Sequence, residues 1–169
     1  MTHPSGIAGD AADAPDTVAA LRLRVVELLS QHHVVTLACH DERGAWAAAV
    51  FYAHDGLDLL FLSSRSSRHI RSLAHDARLA GAIHGPAQDW RTILGLQVSG
   101  IVDELSGAEL DAARQRYAQR FPFVGDGADA DPALSAALRK SACWRLRIDE
   151  AVVVDNTRGL GSRQRWVRS

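Results

Sequence analysis

The residues best suited to chemistry lie between Leu57 and Leu73, LDLLFLSSRSSRHIRSL, where Ser63, Ser64, Ser66 and Ser67 are interleaved with Arg65, Arg68, His69 and Arg71. The run before them sets Leu57, Leu59 and Phe61 against Asp58, Leu60 and Leu62, too short for a helix, and predicts a strand. After them Ile70, Leu73, Ala74 and Ala77 recur at i, i+3, i+4 and i+7 and predict a helix capped by Ser66 or Ser67. A helix start exposes unpaired N–H groups and a partial positive charge. Hydroxyl and guanidinium groups gathered there suit a phosphate monoester. The same residues also suit a plain surface helix capped by Ser67, with Arg65, Arg68 and Arg71 in water.

The chain has 169 residues, one domain by the usual size prior and long enough for a substantial core. Hydrophobic residues make up 47% and charged residues 23%, which excludes a disordered class. The formal net charge of -1 gives no basis for bulk nucleic-acid binding. Positive charge arrives as arginine, with Lys140 the single lysine. There is no apolar run of membrane-spanning length, about 18 residues, and the first residues lack a secretory pattern, so no membrane association and a cytoplasmic location are expected. Cys39 and Cys143 lack CxxC spacing and read as small strand hydrophobes. The histidines form no HxH, HExxH or His/Cys cluster, so no metal site is expected.

Residues 1–15 predict a disordered N-terminal segment, and residues 16–156 a single folded domain. A helix starts at Asp16 or Thr17, with Val18, Leu21, Val25, Leu28 and Leu29 on one stripe. Val34 to His40 and Ala45 to Ala53 form a hairpin around Asp41–Gly44. On its second arm Trp46, Ala48, Val50 and Tyr52 share one face, and the small Ala45, Ala47 and Ala49 the other. That bare face invites either a flat ligand or tight packing on the first helix. A turn at His54-Asp55-Gly56 leads into the strand already described. Leu79 to His84 and Thr92 to Glu104 are further strands, the second with Gln97 and Ser99 on its polar face. Gly95 and Gly100 permit the coiling that closes a sheet into a barrel. Ser106 and Glu109 predict a capping box for a helix from about Gly107 to Arg120, with Leu110, Ala113, Tyr117 and Phe121 facing inward. The stretch from Val124 reads as a loop, Asp131-Pro132 opens a short helix to about Lys140, and Cys143 to Val154 is the last strand. Six strands and four helices make the class mainly β with flanking α-helices. Residues 157–169 form a C-terminal tail in which Trp166, among Arg163, Arg165 and Arg168, predicts docking at a dimer interface.

This order of elements, from Thr17 to Asn156, resembles the pyridoxamine 5′-phosphate oxidase-like family, whose fold is a six-stranded antiparallel FMN-binding split β-barrel. The T-x-x-x-S-R-K pattern of that family is met by Ser63, Ser67, Arg68 and His69. WAAAVFY, the stretch Gly95 to Gly100, RYAQRFP and the ending DNTRGLG followed by Trp166 look like its small YhbP-like bacterial branch. The resemblance implies a cofactor set of Ser63, Ser64, Ser67, Arg68 and His69 around the flavin phosphate, the strand residues Ala48, Val50, Phe51 and Tyr52 along the isoalloxazine edge, and Gln97. The chain departs from the pattern where the oxidase has an arginine and a lysine, here Ala47 and Tyr52, and where a lysine gives way to His69. Weaker phosphate affinity follows, and the oxidase's substrate residues have no counterpart.

The function implied is a homodimeric flavoprotein with FMN at the subunit interface, an oxidoreductase acting on a small-molecule substrate that the sequence leaves unspecified. No catalytic residue stands out. A deazaflavin is an alternative cofactor. A haem-binding or sensing module, ligated through His32, His40 or His84, is another reading, and a non-catalytic dimeric scaffold a third.

Overall fold

A computed structural model describes residues 17–124 and 131–169. The expected N-terminal segment 1–15 and most of the loop after Val124 lie outside the described residues. Thr17 caps helix α1, Val18–Gln31, by accepting the Ala20 N–H at 3.1 Å. The hairpin β1, Val34–Asp41, and β2, Gly44–Asp55, turns through Gly44 at φ +99°, a conformation that favours glycine. Then follow β3, Asp58–Ser63; a single helical turn α2, Arg68–Arg71; β4, Arg78–His84; and β5, Leu94–Glu104. Helix α3, Gly107–Arg120, helix α4, Pro132–Lys140, β6, Ala142–Asp155, and β7, Arg163–Val167, complete the chain.

All strand pairings are antiparallel, in the order β3-β2-β1-β4-β5-β6, and β3 also pairs with β6, which closes a six-stranded barrel. At the β5/β6 bulge a Cβ on Gly100 would stand 1.9 Å from the Arg147 carbonyl oxygen, so the two backbones can meet only at a glycine. Alternation sends Val35, Leu37 and Cys39 of β1 inward and leaves Thr36, Ala38 and His40 outside. Leu57, Leu59 and Phe61 share the barrel core with Leu21, Val25, Leu28 and Leu29 of α1. The opposite face of β3, Leu60 and Leu62, packs in a second core with Ala113, Tyr117 and Phe121. Both faces of β3 are therefore buried, which is why its sequence is a nearly unbroken apolar run.

Three sequence expectations change. Helix α2 ends at Arg71, and Ser72–Ala74 tighten into a 3₁₀ turn instead of continuing to Ala77. Neither half of the capping box forms: Ser106 makes no side-chain cap on α3, and Glu109 pairs with Arg145 at 2.9 Å instead of reaching back. Within this chain Trp166 is only 5% exposed, set in the barrel's own core while β7 pairs with β6. The indole supplies apolar area that the barrel itself needs, and within the expected docking tail Arg163–Val167 form a seventh strand of the same protomer's sheet.

Candidate functional site

Ser63 ends β3 and is the hub of the Ser/Arg turn. Its carbonyl accepts the Trp144 indole N–H at 3.1 Å, which fixes the strand end against β6. Its hydroxyl lies 2.8 Å from His69 Nε2 and 3.1 Å from the Ser67 hydroxyl. Ser67 directs its hydroxyl to the Ser64 carbonyl at 2.8 Å and makes no helix cap, leaving the first N–H groups of α2 without that side-chain acceptor. Ser64 Oγ is 2.7 Å from Ser66 Oγ. Four hydroxyls and an imidazole thus crowd onto one short turn. Burial lowers the pKa of His69, so at neutral pH it offers a hydrogen bond and not a charge.

Arg65 and Arg68 are engaged, contrary to the solvated alternative, which holds for Arg71 alone. Arg68 Nε and Nη2 fork the Asp41 carboxylate at 2.8 Å each, Nη2 also reaches the Gly44 carbonyl, and the guanidinium lies 4.6 Å from the Trp46 ring centre. These bonds hold the Asp41 pKa well below the usual carboxylate range. They leave Nη1 of Arg68 as the edge without a hydrogen bond among the described residues. Arg65 forks Glu104, and Arg71 is exposed with no ion pair among the described residues.

Beside the turn β2 has an open edge. β1 pairs with β2 from Gly44 to Phe51, whereas β3 joins its other edge only from Tyr52 onward. The Tyr52 N–H reaches the His33 carbonyl at 3.0 Å. By alternation Val50 and Ala48 are committed to β1, and the N–H and C=O groups of Ala47 and Ala49 face the open edge. The side chains of Ala45, Ala47 and Ala49 are exposed, so nothing larger than a methyl group stands over this stretch.

The other proposed ligand residues divide. Tyr52 is fully buried, and its hydroxyl donates to the Leu29 carbonyl at 2.9 Å, a structural bond that holds α1. Phe51 is 46% exposed and stacks edge-on against Phe121 and Phe123. Gln97 is exposed on the outer face, in one cross-strand row with Ala82, Thr36 and Ala49. Three strand spacings, about 14 Å, separate it from β2, so a single protomer does not bring Gln97 to the turn. No local pattern marks Asp41 or Trp46 as partners of Arg68. Asp41 looked like an ordinary turn residue, and only the folded hairpin brings it to Arg68. Among the described residues no three His, Cys, Asp or Glu side chains are grouped to hold a metal, and no helix is long and apolar enough to cross a membrane.

The closed antiparallel barrel, with its Ser/Arg turn and flanking helices, defines the class: a split-barrel protein like those of the pyridoxamine 5′-phosphate oxidase type. A candidate pyridoxamine 5′-phosphate oxidase from Listeria innocua superimposes with a TM-score of 0.61 at 13% identity, over 80% of this chain and 98% of that one. An FAD-binding protein from Mesorhizobium loti gives 0.57 at 20% identity, over 76% and 90%. A haem-binding protein from Mycobacterium smegmatis gives 0.66 at 25% identity over 99% of this chain, which spans 60% of that longer protein. No protein-family model matches the chain. A UPF0306 protein from Citrobacter koseri is 34% identical over 143 residues, 83% of this chain and 90% of the relative, and the UPF0306 protein YhbP of Escherichia fergusonii is 33% identical over 83% and 89%. The chain belongs to the UPF0306 (YhbP) family.

Proposed function

We propose that the protein is an FMN-binding oxidoreductase that works as a homodimer. The observation that carries the reading is the junction of two features at one end of the barrel: a turn rich in hydrogen-bond donors at Ser63–His69, and the open, alanine-floored edge of β2 beside it. Hydroxyls of Ser63 and Ser67, the first N–H groups of α2 and the free edge of Arg68 make a donor set that fits a phosphate ester. The methyl-only surface of Ala45, Ala47 and Ala49 fits a flat ring, and the unpaired backbone groups of Ala47 and Ala49 can hydrogen-bond its polar edge. Cationic charge is low because His69 is neutral, so the fit is to a phosphate held by hydrogen bonds more than by charge.

Bound flavin would supply the electron transfer, and the protein's part is to orient the ring and restrict its access to water. Gln97 stands three strand spacings from the open edge of β2, which favours a dimer in which a second copy completes the site from across the outer sheet face. The absorption spectrum of protein loaded with FMN and passed through gel filtration tests the reading. Retained oxidised-flavin absorbance is expected, with loss in a Ser63→Ala/Ser67→Ala double variant. Absence of flavin from the wild-type protein at micromolar concentration sinks it, and a deazaflavin retained in its place would redirect it.

A further inference from the structure

At the far end of the barrel from the Ser/Arg turn, a cleft of about 510 Å³ lies between the end of β4 and the start of β5. That volume is within the range of small-molecule sites. Its walls include His84, Pro86, Trp90, Ile93 and Leu94. Trp90 is 47% exposed and Ile93 39% exposed, so two large apolar side chains stand in water beside a concave surface.

The cleft is held open by a rigid frame. Asn156, itself buried, donates from Nδ2 to the Trp90 carbonyl at 2.8 Å and from its backbone N–H to the Ile93 carbonyl at 2.9 Å, and its Oδ1 accepts the Gly161 N–H. Thr92 Oγ1 donates to the Asp89 carbonyl at 2.8 Å, closing the 3₁₀ turn that carries the indole. The distinctive DNTRGLG ending is therefore spent on presenting Trp90. The frame prevents the apolar wall from collapsing onto the sheet.

Polar groups at the rim narrow the ligand. Arg91 lies 4.9 Å from the Trp90 ring centre and pairs with Asp89 at 3.0 Å, so charge at the rim is balanced and a neutral ligand is favoured. His84 Nδ1 is 3.0 Å from the Gly85 carbonyl, which can only accept. The proton of the neutral ring therefore sits on Nδ1 and leaves Nε2 as an acceptor. We infer that this cleft is a ligand site for a neutral, planar bicyclic molecule that packs on Trp90 and donates an O–H or N–H to His84 Nε2. The site shares no residue with the Ser/Arg turn and stands independently of the flavin reading.

Calorimetric titration of the full chain with 1-naphthol tests it. Binding in the micromolar range is expected, weakened about tenfold in His84→Ala and at least tenfold in Trp90→Ala. 1-Methoxynaphthalene, which lacks the donor, should bind wild type and His84→Ala alike. Arg68→Ala should leave naphthol binding unchanged, whatever it does to flavin. No binding at millimolar naphthol, or equal binding by wild type, His84→Ala and Trp90→Ala, overturns the inference. So does a Soret band from added haem that disappears in His84→Ala while naphthol fails to bind, since Nε2 would then be an iron ligand.

Discussion

Arg68 and Asp41 are joined by two parallel hydrogen bonds of 2.8 Å, and this fork ties the Ser/Arg turn to the β1–β2 hairpin. The arginine expected to meet a phosphate is thus shared with a carboxylate of its own chain. Asp41→Asn should release the guanidinium and tighten FMN binding severalfold, while lowering the melting temperature by loosening the hairpin. Fluorescence titration and thermal melts check both. Unchanged FMN affinity in Asp41→Asn would show that Arg68 acts on the hairpin alone.

Gly100 faces backbone and not a movable side chain, with the Arg147 carbonyl carbon 2.8 Å from a would-be Cβ. Gly100→Ala should destabilise the protein by about 3 kcal/mol or more, the upper part of the overpacking range, read from urea unfolding. The same substitution at Gly44 meets no atom and costs only backbone strain at positive φ.

Trp166→Ala should cost about 3–5 kcal/mol, as expected for a large aromatic removed from a core. Because the indole is buried in its own protomer, the loss in melting temperature should not vary with protein concentration. A loss that vanishes on dilution would instead assign the indole to a contact between copies.

Burial lowers the pKa values of His69, His54 and His32, the last also through the charges of His84 and His33. The unfolded chain takes up these protons near pH 6.5, while the folded chain resists until lower pH. Stability should therefore fall as pH drops below about 6.5. Melting temperatures between pH 5.5 and 7.5 check the slope, and His69→Gln should reduce it.

Much of the fold was legible because its strands alternate cleanly. Val35/Leu37/Cys39 against Thr36/Ala38/His40 announces a sheet with one wet face, and the double apolar pattern of Leu57–Leu62 announces a strand covered on both sides. Gly95 and Gly100 marked the close approaches that barrel closure demands. The site was legible only in its local part. Ser63, Ser67 and His69 meet because the last lies only six positions after the first, across one turn. The Arg68–Asp41 fork spans 27 positions and the Asn156–Trp90 bond 66, and no local periodicity encodes either. Trp166 misled because an aromatic among arginines reads as surface, although strand alternation on β7 turns the indole inward and the arginines outward. Likewise a serine before a helix reads as a cap, but the Ser67 hydroxyl is turned to donate to the Ser64 carbonyl and its oxygen accepts no N–H of α2.

Whether a phosphate ester is held at the Ser63–His69 turn is read from FMN against riboflavin, because the two differ only in that ester. Equilibrium titration by flavin fluorescence should give FMN a dissociation constant at least about a hundredfold lower, the equivalent of about 2.7 kcal/mol, with the advantage lost in Ser63→Ala/Ser67→Ala. Equal affinity for the two flavins would contradict the account.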